Sequence, residues 1–421
     1  MRVGAEDMGP DVAAAGRKVL IVGWKAKAIE ALTRHGAEVT SVVTPDEAVK
    51  CRRLGTGRTL VVADTGRAEE VAAVLARQQE SAADFDVVCS PQELTVLTAA
   101  LLGTPGGNSA IPLRAALALR DKAIQKAAVR AAGLPVAACT VVARTADLLT
   151  AADQGPVVVK PLSGAGSADT YRVEDAAQAA GLAARLGEQG SSGPWLVEEF
   201  VHGEELQVDG VVRGGRLLRM SVGRYLDNLI RIHDGGLAGS AALAPGAHPE
   251  LYRSLREHAS TALEAIGFTD GVFHMEVFAG PGRIVFSECG GRVGGALTDE
   301  MLRHRFATDI YDEWARAVLG LPSDAAGEIP DPGDSVGYIH LTTPPGRVVA
   351  MPTREEVAAR PGVLHAELDI SVGDVVGDLT ASSHLRAARV LVRGRDDVSV
   401  AEDLRALARW FGQAVQLAPA P

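Results

Sequence analysis

Apolar residues open the chain in short unbroken runs separated by stretches with helical spacing. Residues 18–23 (KVLIVG) form the kind of run that a strand buried on both faces needs, and it stops at a glycine. Residues 28–35 then read as a helix, 38–43 as a second strand and 60–63 as a third. A helix over 69–79 and a strand at Val87-Val88 continue the alternation. The pattern predicts a parallel α/β domain ending near Pro112. Its first turn, Gly23-Trp24-Lys25-Ala26-Lys27, lacks the G-x-G-x-x-G spacing of a dinucleotide-binding loop.

Beyond Pro112 the pattern changes. Residues 114–132 read as one helix, with Gly133 as its stop and Pro135 just beyond. Strands are expected at 157–160, 170–173, 195–200 and 205–212, with a helix at 176–186 and turns at Gly203 and Gly214-Gly215. A long helix over 251–266 ends at Gly267. A strand pair follows at 271–278 and 283–288, then a helix at 308–319. Residues 321–335 are rich in Pro, Asp and Gly and read as a linker. Residues 336–421 read as a small α+β appendage closed by a helix at 401–411, and no internal repeat is present.

Composition narrows the class. A chain of 421 residues exceeds one compact core, so roughly two to four domains are expected. A net charge of −11 with no Lys/Arg cluster argues against nucleic acid as a partner. Residues 1–11 carry Arg, Glu and Asp without an apolar run, so no signal peptide is expected, and nothing approaches the roughly 20 apolar residues of a membrane span. Cys51, Cys89, Cys139 and Cys289 lie far apart, which suits reduced thiols in a cytoplasm better than disulfides or zinc. Lysine occurs only at 18, 25, 27, 50, 122, 126 and 160, so a lysine inside a motif carries extra weight.

The strand pair is the sharpest chemical signal. His274-Met275-Glu276 is followed by Ser287-Glu288-Cys289-Gly290-Gly291-Arg292-Val293-Gly294-Gly295. Alternation puts His274, Glu276 and Phe278 on one face, and Glu288, Gly290 and Arg292 on one face of the partner. With a turn at 281–283, Glu276 falls opposite Glu288. Opposed like charges destabilise a sheet, and a divalent cation between them would remove that cost. Magnesium suits two carboxylates plus phosphate oxygens and water, and Arg292 is placed to meet an oxyanion or phosphate. A charged hairpin facing water is the alternative.

Three further stretches suit a nucleotide. Residues 157–167 (VVVKPLSGAGS) are a strand, Lys160, then a loop of tiny side chains that lets backbone N–H groups approach phosphate. No G-K-[ST] ends the loop, so it is not a Walker A loop. Residues 195–205 (WLVEEFVHGEE) place Glu198 at the end of an apolar strand, where it could accept from an adenine amino group, with Glu205 further on for ribose. Lys122 and Lys126 share a helix face, where solvated charge is the default reading.

In this order the four elements resemble the ATP-grasp superfamily over residues 18–320, and the tail, with Pro361-Gly362-Val363 and residues 373–377 (GDVVG), resembles that of bacterial L-amino acid ligases, the dipeptide synthetases of the bacilysin type. The resemblance implies an α/β, ATP-grasp architecture: an N-terminal parallel α/β domain over 1–112, a core over 113–325 with its small lid at about 136–197, a central antiparallel α+β domain, and a small C-terminal α+β appendage over 336–421. It implies an ATP-dependent ligase that couples a carboxylate, an amino acid, to an amine through an acyl phosphate. Lys122 and Lys160 would contact ATP phosphates, and Ser163, Gly164, Gly166 and Ser167 would form the phosphate loop. Glu198 and the Val201 backbone would hold adenine, and Glu205 the ribose. Glu276 and Glu288 would bind two Mg²⁺ (or Mn²⁺) ions, and Arg292 would stabilise the acyl phosphate. His233 is a candidate group on the substrate side. Gly290 departs from the family, which writes Asn there as a further metal ligand. Another ATP-grasp branch (purine-pathway or biotin-carboxylase-like) and a non-catalytic ATP-binding protein stay open, as does a homodimer.

Overall fold

The computed structural model describes residues 15–55, 57–150, 155–327, 333–383 and 385–419. The N-terminal stretch read as free of a signal peptide, and 328–332 of the expected linker, lie outside the described residues. Four parallel strands form the first sheet: β1 (Lys18–Val22), β2 (Glu38–Val43), β3 (Arg58–Val61) and β4 (Val87–Cys89), in the order β3-β2-β1-β4. The runs are apolar because helices cover the sheet: α1 (Ala26–Arg34), α2 (Pro45–Leu54), α3 (Ala68–Arg77) and α4 (Val96–Gly103). The sequence reading named neither α2 nor α4. Thr44 and Glu47 form a capping box ahead of Pro45, a legible start, but only Ala48 and Cys51 of α2 are buried, so the helix shows almost no apolar stripe. α4 is apolar nearly all round and shows no period.

The single helix expected over 114–132 is two, α5 (Leu113–Arg120) and α6 (Lys122–Ala131). Asp121 between them is extended (φ −103°, ψ 112°), and its Oδ1 accepts from the N–H groups of Ala123 at 2.8 Å and Ile124 at 2.9 Å. An Asp that can cap offers the backbone an alternative to continuing the helix. The freed Lys122 N–H instead donates to Leu162 O at 2.9 Å, tying α6 to the small-residue loop. That loop belongs to an antiparallel sheet of β5 (Cys139–Val142), β6 (Val157–Pro161), β7 (Tyr171–Val173) and β8 (Trp195–Glu199), in the order β5-β8-β6-β7. α7 (Ala176–Glu188) packs Leu182 and Leu186 onto it.

The central sheet has eight strands. Five are β9 (Glu204–Arg213), β10 (Arg216–Tyr225), β11 (Gly239–Ala242), β12 (Gly271–Gly280) and β13 (Arg283–Gly290). α8 (Pro249–Ile266) packs on this sheet, and α9 (Thr298–Phe306) and α10 (Ile310–Leu319) follow it. The other three strands come from the tail: β14 (Ser335–Leu341), β16 (Val363–Leu368) and β18 (Ala388–Gly394), in the order β13-β12-β9-β10-β11-β14-β18-β16. The antiparallel β11–β14 ladder (Gly239↔Ile339 to Ala241↔Gly337) carries the sheet across the 321–335 segment. The remaining tail elements are β15 (Gly346–Ala350), α11 (Arg354–Ala358), β17 (Val375–Val376), α12 (Asp397–Ala414) and β19 (Gln416–Ala418). β17, β15 and β19 make a separate three-stranded sheet. Among the described residues no helix is long and apolar enough to cross a membrane.

Glu276 pairs with Glu288, as the sequence predicts, but by another route. The turn is tighter than expected, since Gly280 pairs with Arg283. That register alone would set Glu276 against Ser287. A bulge between Glu276 and Val277 adds the missing residue and restores the carboxylate pair. Bulges re-aim side chains beside functional sites.

One core group makes the fold pH-sensitive. His258 on α8 stacks on Phe286 with ring centroids 6.5 Å apart, and burial pushes its pKa down to about 4. The unfolded chain therefore binds this proton first. Holding His258 neutral costs nothing above pH 6.5, and the fold loses stability as the pH falls from there toward 4, because only the unfolded chain takes up the proton. His258→Leu should stabilise the protein relative to wild type at pH 5, by on the order of 2 kcal/mol, and not above pH 7. Urea midpoints at both pH values check this, and an equal change at both would remove the titration.

Candidate active site

The site begins with the buried face of α6. Lys122, Gln125, Lys126 and Val129 are buried at i, i+3, i+4 and i+7, while Ile124 on the other side is 46% exposed. Polar residues occupy the stripe that apolar ones should fill. This corrects the default reading of Lys122 and Lys126 as solvated charge. Gln125 explains part of the inversion. Its Nε2 donates to Cys289 O at 2.7 Å and its Oε1 accepts from Cys289 N–H at 2.8 Å, which fixes α6 against the strand carrying Glu288. Sequence reading missed Gln125 and Lys126 as site residues, although the inverted stripe was visible.

Three lysines and four carboxylates then meet. Lys160 Nζ lies 2.5 Å from Glu198 Oε1, and Lys126 Nζ lies 3.0 Å from Glu198 Oε2. Lys122 Nζ lies 3.0 Å from Glu288 Oε2 and donates to Gly164 O at 2.9 Å. Burial opposes the Glu198 charge, but Lys160 and Lys126 outweigh it and its pKa falls. Burial likewise opposes the Lys160 charge, and Glu198 and Glu288 outweigh it, so that pKa rises. Lys126 ends lower than usual because burial outweighs Glu198. Burial and the nearby Glu276 push Glu205 up to about 8, although Leu229 N–H donates to its Oε2 at 2.6 Å.

Across the sheet, His274 sits between two acids. Its Nδ1 is 2.8 Å from Asp209 Oδ1 and its Nε2 is 3.5 Å from Glu276 Oε1. Burial opposes its charge, but Asp209 and Glu276 hold it protonated, up to about 10. Tyr225 OH donates to Glu276 Oε1 at 3.0 Å. The chain itself thus offsets the opposed carboxylates, with Lys122 on Glu288 and His274 on Glu276. A divalent cation is therefore one of two ways to offset the pair, beside the chain's own cations. The donors still suit a hard cation: two carboxylates in register, with Gly290 adding none. Among the described residues no group of three or more His, Cys, Asp or Glu is arranged to hold a metal, so phosphate or water oxygens would have to complete such a shell.

Two clefts meet at this pair. The first, about 800 Å³, is lined by Lys122, Lys126, Lys160, Gly164, Gly166, Ser167, Glu198, Val201, Glu205, Glu276 and Glu288. It gathers every expected nucleotide residue except Ser163, which is exposed and does not line it. The second, about 600 Å³, shares Gly166, Ser167, Glu276 and Glu288 and adds Tyr225, His274, Arg292, Tyr338 and His340. The tail strand β14 supplies the last two. Arg292 faces this cleft, and its Nε and Nη2 reach Glu93 Oε2 at 2.8 and 2.6 Å. Glu93 follows β4, where the strand ends of a parallel sheet present ligand-binding loops; nothing else in the sequence marks it. A Cβ on Gly290 would lie 3.5 Å from Glu93 Oε2 and from Arg292 Cγ, so an Asn side chain would extend into that ion pair. His233 does not join Arg292. It lines an outer cleft with Tyr171, Arg172 and Arg185, and its Nε2 donates to Ser167 O at 3.1 Å.

Known proteins resemble the chain in sequence and in fold. A sequence profile of the L-amino acid ligase C-terminal domain 2 matches residues 339–410. An L-arginine-specific L-amino acid ligase from Bacillus subtilis is 26% identical over 312 residues, covering 71% of this chain and 73% of that protein. The crystal structure of an L-amino acid ligase from Bacillus licheniformis superposes with a TM-score of 0.76 at 17% identity, over 97% of this chain and 100% of that one. An ATP complex of carboxyaminoimidazole ribonucleotide synthase from Aspergillus clavatus gives 0.73 at 18% identity, over 95% and 100%. The fold is that of the ATP-grasp proteins.

The buried lysine–glutamate–lysine group makes a stability prediction. Lys160→Met should destabilise the protein by roughly 1–3 kcal/mol, because Glu198 loses one of two cations in a desolvated site. In a double-mutant cycle Glu198→Gln should recover at least half of that loss. Additive losses in urea denaturation would mean that the three charges do not act as a unit.

Proposed function

We propose that this chain, an ATP-grasp protein similar to bacterial L-amino acid ligases, is an ATP-dependent ligase that joins the carboxylate of one amino acid to the amine of another. One observation carries the reading: a lysine-lined cleft and an arginine-bearing cleft meet at Glu276 and Glu288, beneath Gly166 and Ser167. Such a junction lets a nucleotide on one side hand its terminal phosphate to an acid on the other.

In this reading Lys122, Lys160 and the Gly164–Ser167 loop hold the phosphates, and Glu198 and Val201 face the adenine. Glu205 holds the ribose. Its raised pKa, about 8, favours the protonated form near neutrality, able to donate as well as accept. The substrate carboxylate oxygen attacks the γ-phosphorus, ADP leaves, and an acyl phosphate forms. Catalysis of that step is positioning and charge neutralisation. The amine then attacks the acyl carbon, charge gathers on the carbonyl oxygen near Arg292, and phosphate leaves as the amide forms. Mg²⁺ held by Glu276 and Glu288 would neutralise phosphate charge during transfer. Arg292 keeps its place through Glu93, which fixes the guanidinium before substrate arrives. The four free thiols, three of them buried, suit a reducing cytoplasm.

The reading is tested by ADP release across pairs of amino acids, with product mass. ADP should appear only when an acid, an amine and Mg²⁺ or Mn²⁺ are all present, and Glu288→Gln should cut turnover by orders of magnitude in a folded protein. Full activity in EDTA, or ADP release indifferent to the amine, would exclude a metal-dependent ligase. Separately, Arg292→Lys should lower kcat by ~10²–10³ with little change in ATP affinity, because an ammonium cannot reproduce the fork. A Lys variant with wild-type kcat would reduce Arg292 to an ion-pair partner of Glu93.

A further inference from the structure

The phosphate loop is held from outside its own sheet. Gly166 O accepts from Ser383 N–H at 3.0 Å and from Ser382 Oγ at 2.9 Å, both in the tail. Ser383 O in turn accepts from His340 Nδ1 on β14 at 2.9 Å. The next carbonyl, Ser167 O, accepts from His233 Nε2. The short turns that carry these groups, Leu379–Ala381 and Leu229–Asp234, pack against each other. The loop is therefore fastened by the tail on one carbonyl and by the segment after β10 on the next.

The fastening has a directional consequence. In a trans peptide the C=O and the following N–H point in opposite directions. Drawing Gly166 O toward Ser382 and Ser383 turns the Ser167 N–H away from them and so toward the first cleft, which Gly166 and Ser167 line and the two tail serines do not; Ser383 lines the second. Among the described residues this N–H meets no protein acceptor. Gly166 (φ 64°) and Ser167 (φ 58°) are consecutive left-handed residues, an arrangement that a serine adopts only when its surroundings impose it.

We infer that Ser382 and Ser383 are positioning residues of the nucleotide site: they lock the phosphate loop down with the Ser167 N–H aimed at the phosphate. The inference rests on the nucleotide reading of the first cleft. It gives the tail a function in the reaction beyond completing the sheet. A loosened loop binds ATP more weakly and admits water. Water then attacks the acyl carbon, the bond from carbon to the phosphate oxygen breaks, and phosphate leaves with the free acid regenerated, so ADP forms without product.

Ser382→Ala removes the hydroxyl donor and Ser383→Pro removes the N–H. Ser382 is already extended (φ −161°, ψ 147°), as a residue before proline must be. Calorimetric titration with MgATP and hydrogen exchange over residues 162–170 compare these with wild type. The double variant should bind ATP roughly tenfold more weakly or worse, exchange faster across the loop, and release more ADP than product in turnover. Ser382→Thr, which keeps the hydroxyl, should stay near wild type. Wild-type ATP affinity and loop exchange in Ser382→Ala and the double variant would overturn the inference, however active the enzyme. If Ser383→Pro does not fold, Ser382→Ala against Ser382→Thr decides by the same readouts. A wild type that binds ATP yet releases no ADP with any amino acid pair would overturn the ligase reading alone, since affinity and exchange still judge the latch.

Discussion

Repulsion between Glu276 and Glu288 is the constraint around which the rest is arranged. Two carboxylates opposed on adjacent strands repel each other at short range, in a partly desolvated cleft where water screens them poorly. Each has its own cationic partner, and those partners come from different places. Lys122 reaches Glu288 from α6, and His274 reaches Glu276 along the same strand. Asp209 on β9 keeps His274 charged, and Gln125 clamps α6 to the Glu288 strand. Gly294 is part of the same requirement, since a Cβ there would sit 2.6 Å from Asp209 Oδ1. A pair that demands cations is suited to receive a metal and a phosphate, because the groups that neutralise it can also bind the anion.

The same charges explain why the nucleotide cleft is dense in ion pairs. Lys126 and Lys160 share Glu198, and none of the three is solvated. Desolvated charges hold one geometry only when each finds a partner. In the ligase reading the phosphates offer Lys160 a second anion, so part of the energy of binding is already laid out as a lysine held in place. Arg292 follows the same rule with Glu93, and burial without that partner would be costly.

The tail changes meaning once the sheet is seen whole. Its strands extend the central sheet, Tyr338 OH donates to Gln207 Oε1 at 2.9 Å beside the carboxylate strands, and His340 lines the second cleft. The small-residue loop, the central sheet and the tail all line one cleft at the carboxylate pair.

The apolar runs of β1 and β2, the His274/Glu276/Phe278 face, Lys160 before its small-residue loop and the Glu198 strand were all readable from the sequence. Each depends on local periodicity, which folding does not alter. The Glu276 to Glu288 register was also readable, although it is reached through a tighter turn and a compensating bulge. Other features were decided only in three dimensions. The break at Asp121 depends on a cap competing with helix continuation, with Leu162 waiting to accept the freed N–H. The burial of Lys126, the Glu93 partner of Arg292, the displacement of His233 to the loop tip and the joining of β14 to β11 all link residues far apart in the chain. A single sequence records what each residue is and how its neighbours alternate. Which distant charge will neutralise it is settled when burial removes water and leaves only a protein partner to do so.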